Sequence, residues 1–198
     1  MVRNLVIKGN SKMGPNVGIF NLPAKKTCTP THWCLKGKNG KPACYALRNN
    51  FQFPSVIAAA KERLRLSRRN DFVNLMAQEI NQKKIEFFRW HSSGDFYSES
   101  YVQKVSDIVA ACPDTLFRTT TRRRDLTAPI VKLAQLPNII VRESLDDERP
   151  TPEMGLPFAA IGHLDIVKQG NSYECQNLCP KCDYHCWKEP TDMHFQEH

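Results

Sequence analysis

Seven of the eight cysteines in this chain fall into two groups. The first group has five and then nine residues between its members, Cys28, Cys34 and Cys44. Three thiolates on one loop can bind three irons of a four-iron, four-sulfide (4Fe–4S) cluster and leave the fourth iron open to a substrate or cofactor. A structural zinc site closes at four ligands, and His32 is the residue that can supply the fourth. The first group therefore predicts a 4Fe–4S cluster, with zinc as the alternative.

The second group lies close to the C-terminus and is much tighter. It places four cysteines within twelve residues, at Cys175, Cys179, Cys182 and Cys186. Four thiolates at this density suit a second cluster or a tetrahedral zinc site. One of them can also complete the first cluster if folding brings the groups together. Cys179-Pro-Lys-Cys182 fits the C-x-x-C pattern of thioredoxin-like proteins as well, but that pair normally opens a helix near the first strand.

The eighth cysteine, Cys112, stands alone at the end of a predicted helix, and we expect it to be a small buried hydrophobe. His91 and Asp95 flank Ser-Ser-Gly. They can orient a cofactor or take part in acid–base chemistry. In the structural alternative, the carboxylate of Asp95 caps the helix that follows.

Two more charged positions are candidates for ligand binding. Arg122 is the first of three consecutive arginines, which can grip a phosphate or carboxylate or form a solvated helix start. Glu143 can contact a ligand amine, or it can neutralise Arg142 or Arg124. The chain contains no Ser/His/Asp hydrolase pattern, P-loop or G-x-G-x-x-G.

The elements that must position these residues follow from composition and periodicity. Residues 1–50 are rich in Gly, Pro, Asn and Lys, which predicts one or two strands and a long ordered loop that carries the first cysteine group. Residues 55–80 are rich in helix formers and predict two helices separated at Asn70-Asp71. Predicted strands at 85–90, 115–119, 138–142 and 158–162 alternate with helices at 98–112 and 125–135.

This alternation predicts an α/β fold with a parallel sheet. About five strands are too few for an eight-fold barrel, so we expect a partial parallel (β/α) barrel, TIM-barrel-like, over residues 1–170. A cysteine-rich metal-binding tail over residues 171–198 follows it. Functional loops in such folds gather at the carboxyl ends of the strands. The polar loops predicted there are 91–95, 120–124, 143–147 and 162–165.

Length and charge limit the classes of protein that fit. The chain has 198 residues, a formal net charge of +8 and a sequence pI of about 9.1, which permits contact with nucleic acid. No apolar stretch is long enough to cross a bilayer, and the first residues lack a signal peptide. We therefore expect a cytoplasmic protein in which the cysteines stay reduced and serve metal or redox chemistry.

Several motifs together resemble a phage-encoded family known as gene product 88. They are Gly9-Asn-Ser-Lys-Met-Gly, Phe20-Asn-Leu-Pro-Ala, Ala43-Cys-Tyr-Ala and Phe88-Arg-Trp-His-Ser-Ser-Gly-Asp-Phe-Tyr-Ser, with the cysteine-rich tail that ends in Cys186-Trp187. The layout is similar to that of radical S-adenosylmethionine (SAM) proteins. The resemblance implies that Ser93, Gly94 and Asp95 hold the methionine part of SAM, although the cysteine spacing is wider than in the compact radical SAM motif.

The sequence and its resemblance together give two functional hypotheses. The first is a phage iron–sulfur protein of radical SAM-like architecture in the cytoplasm of the infected host cell. Its substrate is an unknown small molecule or host protein, and Arg122 and Glu143 line the same pocket as Ser93-Gly94-Asp95. The alternative is a zinc-stabilised basic domain that binds nucleic acid or a host protein without catalysis.

Overall fold

A computed structural model describes residues 5–37 and 40–196. Eight strands form one sheet in the order β1-β2-β3-β4-β5-β6-β8-β7. β1 is antiparallel to β2, and the other neighbouring pairs are parallel. The strands are β1 Ile7–Lys8, β2 Val17–Phe20, β3 Phe87–Trp90, β4 Leu116–Thr121, β5 Ile139–Ser144, β6 Phe158–Ile161, β7 Tyr173–Glu174 and β8 Met193–Phe195.

The helices begin and end at recognisable signals. Pro54 opens one helix at a position where its missing N–H costs nothing, and the Ser98 hydroxyl caps another by accepting from the Tyr101 N–H. The predicted break at Asn70-Asp71 is confirmed, because it separates α2 from α3. The helices are α1 His32–Lys36, α2 Pro54–Ser67, α3 Phe72–Gln82, α4 Glu99–Ala110, α5 Thr127–Leu133, α6 Asp165–Lys168 and α7 His185–Lys188.

The two faces of the sheet are covered by different parts of the chain. Phe88, Trp90 and Phe117 pack with buried side chains of α2 to α5 in the main core; we call this side the helix face. Residues of opposite parity, such as Val17 and Phe87, pack against the tail instead; we call this side the tail face. Since successive strand residues point to opposite faces, the central strands β2, β3 and β4 contribute to both cores.

The predicted α/β class and the parallel arrangement of the sheet are confirmed. The sheet is open, with β1 and β7 at its edges, so it does not close into a barrel. The tail strands β7 and β8 were not predicted, because two and three residues are too few to show a period. β8 pairs with β6, so the tail from residue 171 adds strands to the sheet. No helix of the described ranges is both long and apolar enough to span a bilayer.

Candidate functional site

The first cysteine loop is fastened to the end of β3 at the carboxyl edge of the sheet. The Leu22 N–H donates to the Ser93 carbonyl at 2.9 Å, and the Ser93 hydroxyl donates back to the Leu22 carbonyl at 2.9 Å. The Asp95 N–H donates to the Thr27 hydroxyl at 3.3 Å. Because Thr27 immediately precedes Cys28, these bonds set the position of the first thiol.

Cys34 is positioned by a helix start and a buried carboxylate. Thr31 caps α1 by accepting from the Cys34 N–H at 3.2 Å, and its hydroxyl donates to Asp146 Oδ2 at 2.8 Å. The Cys34 Sγ lies 4.0 Å from the same oxygen. Asp146 follows β5, so this contact ties the cysteine loop to the carboxyl end of a second strand.

Cys44 completes the group through its backbone and the tyrosine beside it. The Cys44 N–H donates to the Cys34 carbonyl at 3.2 Å. The Tyr45 hydroxyl donates to the Ser92 carbonyl at 2.6 Å and accepts from Arg89 Nη2 at 3.0 Å. The structure therefore brings all three predicted cluster ligands to one edge of the sheet.

Arg122, which directly follows β4, is a cation that interacts with this loop. Its Nε donates to Asp146 Oδ2 at 3.1 Å. Burial alone would lower its pKa, but Cys34, Asp146, Asp95 and Cys44 outweigh burial and raise the pKa above the usual value. The predicted solvated helix start is therefore wrong for Arg122, because its guanidinium interacts with the cysteine loop.

Burial raises the pKa values of two thiols of the loop, Cys28 and Cys44, and so favours their neutral forms. Burial, followed by the charge of Asp95, raises the pKa of Cys28 to about 12. Burial also raises the pKa of Cys44, and Cys34 adds to the increase. A metal that binds these sulfurs must displace their protons, so its affinity rises with pH.

Asp95 is buried and accepts three hydrogen bonds. The donors are the Thr121 hydroxyl at 2.7 Å, the Phe96 N–H at 2.7 Å and the Arg122 N–H at 3.0 Å. Burial raises its pKa, although these hydrogen bonds act in the opposite direction. The alternative role of helix cap is wrong, because Ser98 caps α4. Asp95 instead joins the end of β4 to the loop after β3.

His91 and Glu143 turn toward the helix face, away from the thiols. His91 Nε2 lies 3.0 Å from the Tyr101 hydroxyl of α4, and its ring meets Phe96 edge-on at 5.0 Å. Glu143 accepts from Arg124 Nε at 2.6 Å, and its other oxygen accepts two N–H groups of the segment after Pro152. The alternative in which Glu143 pairs with Arg124 is thus confirmed.

The four tail cysteines assemble at a different place, on the tail face. Arg118 of β4 interacts electrostatically with Cys186, Cys179 and Cys175, and Cys182 acts on Cys179 and Cys175. All eight cysteines are free thiols. Cys112 is fully buried with hydrophobic side chains, as predicted.

In residues 5–37 and 40–196, no group of three or more His, Cys, Asp or Glu side chains is arranged to hold one metal ion. Thiolates of a 4Fe–4S cluster bind different irons and stand farther apart than ligands of one zinc. His32 is exposed while Cys34, two residues later in the same helix, is buried, so His32 points away from the thiols.

Several residues of the site were not predicted. Asp146, Thr31 and Tyr45 anchor the cysteine loop, and Arg118 faces the tail cysteines. Asp146 could have been found from its position in the sequence, since it lies in a polar loop that directly follows a predicted strand. Arg118 could have been found from its residue type, because a charged side chain within a largely apolar strand needs a buried partner.

The basic clusters are partly neutralised by their own neighbours. Arg65 pairs with Glu62 at 2.7 Å, Arg69 with Asp71 at 2.5 Å, and Arg123 with Asp125 at 2.7 Å. These pairs cancel locally, so the net charge of +8 resides on other lysines and arginines of the chain.

A comparison with models of protein families gives a match over most of the chain. Residues 4–167 match the family model of Gene product 88, which includes the first cysteine group and the strand-end loops but ends before the tail cysteines. No curated protein and no solved structure matches the chain.

Proposed function

This chain belongs to the Gene product 88 family, and we propose that it is an iron–sulfur protein of radical SAM-like architecture. Cys28, Cys34 and Cys44 hold a 4Fe–4S cluster at the carboxyl edge of the sheet, and the fourth iron is open to SAM. The observation that carries the proposal is the convergence of the three thiols around Arg122. The substrate is an unknown small molecule or a host protein in the cytoplasm of the infected cell.

The carboxyl edge supports this proposal because it combines soft ligands with a partly accessible cation. Three thiolates satisfy three irons, and the Arg122 side chain keeps 24% of its surface exposed. A guanidinium at that place suits a ligand carboxylate, such as the one in the methionine part of SAM. Asp95 already accepts hydrogen bonds from three protein donors, one of which is the Arg122 N–H. Its main role in the proposal is therefore to hold Arg122 in position.

The direct test is SAM binding and cleavage by anaerobically reconstituted protein. We expect calorimetry to detect SAM binding, and dithionite-reduced protein to release methionine and 5′-deoxyadenosine. Arg122→Gln should weaken SAM binding by roughly tenfold or more, the effect of losing one charge-assisted contact. Arg65→Gln is the control, because Arg65 is an exposed arginine of α2 that pairs with Glu62, and this variant should bind SAM like the natural protein.

Two outcomes would reject the proposal in different ways. If cluster-loaded protein neither binds nor cleaves SAM, the chain is an iron–sulfur protein without radical SAM chemistry. A colourless preparation that contains zinc but no sulfide supports the other hypothesis, a zinc-stabilised basic domain that binds nucleic acid or a host protein.

A further inference from the structure

The tail cysteines form a compact group built against the sheet. The Cys179 N–H donates to the Lys12 carbonyl at 2.8 Å, and the Tyr184 ring stacks on Phe87 with centroids 4.0 Å apart. Trp187 is buried, and its Nε1 donates to the Phe88 carbonyl at 3.0 Å. These contacts fix both halves of the segment that carries the four thiols.

The charges that act most strongly on Cys179 are Arg118 and the other three tail cysteines. Cys175 interacts with Cys186, Arg118 and Cys182. Cys175, Cys179 and Cys186 pack in one cluster with Trp187, and the Cys182 Sγ donates to the Cys179 carbonyl at 3.4 Å. Arg118 interacts with three of these cysteines, Cys186, Cys179 and Cys175. By contrast, the charges that act on Cys28 in the first loop are those of Asp95, Cys44 and Arg122.

Arg118 is a buried cation that lacks part of its hydrogen bonding. Its guanidinium lies over the Trp187 ring, 4.3 Å from the ring centroid, and its Nε has no hydrogen-bond partner within residues 5–37 and 40–196. Its register partner on β3 is another arginine, Arg89, and like charges directly opposite each other destabilise a sheet. A buried, unpaired cation is costly, so this place requires a negative group, and metal-bound thiolates provide one.

The two cysteine groups lie at different points along β4. Arg118 belongs to the tail group, and Arg122 follows the strand four residues later in the loop group. At about 3.3 Å per residue, their Cα atoms are about 13 Å apart. The charges that act most strongly on Cys28 and Cys44 include no tail cysteine, so each cysteine group has its own arginine and its own set of neighbours.

We propose that Cys175, Cys179, Cys182 and Cys186 hold a second 4Fe–4S cluster, separate from the first and closed by four protein ligands, with Arg118 as its counter-charge. The four thiolates leave no iron open, so this cluster is not a place for SAM. The inference does not rest on the loop cluster, because the tail centre can be occupied whether or not the loop centre is.

Cysteine protection tests the proposal on the natural protein. Anaerobically reconstituted protein is treated with iodoacetamide, and modified cysteines are mapped by mass spectrometry before and after chelation. We expect the four tail thiols to be protected until iron is removed. Cys112 is the internal control, since it is buried in the core and should react only after unfolding. Tail thiols that react at once in iron-loaded protein would overturn the proposal.

Variants separate two clusters from one. With Cys28, Cys34 and Cys44 all replaced by Ala, the tail should keep its protection and about four irons. That result would leave the second cluster standing even if the proposed function failed. Cys179→Ser with Cys182→Ser should remove about four irons and leave the loop cluster. Loss of all iron in either variant would show one shared cluster, and zinc without sulfide in the tail would also overturn the proposal.

A further variant keeps every ligand, so it does not depend on whether cysteine substitutions fold. Arg118→Gln should make the tail thiols react roughly tenfold faster during chelation, because the cluster loses a charged donor. The loop thiols should react at an unchanged rate. Equal rates for the tail thiols of the variant and the natural protein would show that Arg118 is not their counter-charge.

Discussion

Asp146 is fully buried and joins three parts of the candidate site. Its carboxylate accepts from Thr31, from Arg122 and from the N–H groups of Glu148 and Arg149. The charge of Asp146 therefore holds Arg122 and the start of α1 together. At the scale of single residues, this carboxylate positions Arg122 and the start of α1, the helix that carries Cys34.

Replacing Asp146 tests that interpretation. Asp146→Asn keeps the shape but leaves Arg122 without its buried ion-pair partner, and we expect a loss of about 3 kcal/mol in the free energy of unfolding. Urea denaturation measures it. Asp165→Asn is the control, because its pair with Lys168 is exposed and should contribute little. Equal midpoints for the two variants would contradict this role for Asp146.

The burial of His91 predicts that the folded protein loses stability at acidic pH. Burial lowers its pKa to about 3, whereas an unfolded histidine titrates near about 6.5. The folded state therefore binds fewer protons than the unfolded state. The stabilisation that results from neutral His91 is fully present above pH ~6.5 and is lost as the pH falls toward the folded pKa. At pH ~5 the loss in the free energy of unfolding is about 2 kcal/mol.

Urea denaturation at both pH values checks this sign. His91→Asn removes the titration, and asparagine tolerates the positive φ of 59° at this position. The variant should lose less stability than the natural protein between neutral pH and pH ~5. The same loss in both proteins would mean that His91 does not carry the effect.

At the scale of elements, the loop after β3 acts as the dock for the cysteine loop. Gly94 has a φ of +85°, and a Cβ added there would lie 2.6 Å from the Leu22 Cβ and 2.7 Å from the Thr27 Oγ1. Only glycine permits that approach of the two loops. The sequence indicated that residues 91–95 matter, but the observed contacts are with the segment before Cys28.

Gly94→Ala should therefore disturb the cluster as well as the fold. We expect a lower melting temperature and reduced iron retention, since Leu22 and Thr27 must move and Cys28 moves with them. Gly155→Ala is the matched control, because Gly155 has a φ of +68° but none of the described residues has an atom within 4 Å of a Cβ added there. It should show only the backbone cost of about 1 kcal/mol and retain iron. Equal iron loss in both variants would contradict the docking role.

At the scale of the whole molecule, the sequence predicts the helices and strands whose hydrophobic residues recur with a regular period. It does not predict the elements that depend on contacts between distant parts of the chain. The central strands and the helices α2 to α5 follow from periodicity, which is strong over long segments. β7 and β8 are stabilised by pairing at the sheet edge, which no local pattern reveals. The cysteine groups were visible as clusters, but their separation along β4 depends on folding. The directions of His91 and Glu143 depend on strand parity and loop geometry in the same way.

Iron and acid-labile sulfide in anaerobically prepared protein test the central claim most directly. The natural protein should be brown, absorb near about 400 nm and contain sulfide equal to its iron. The variant with Cys28, Cys34 and Cys44 replaced by Ala should lose about four irons and four sulfides, whereas Cys112→Ala should keep the full complement. Unchanged iron in the triple variant would contradict a cluster on the first cysteine loop.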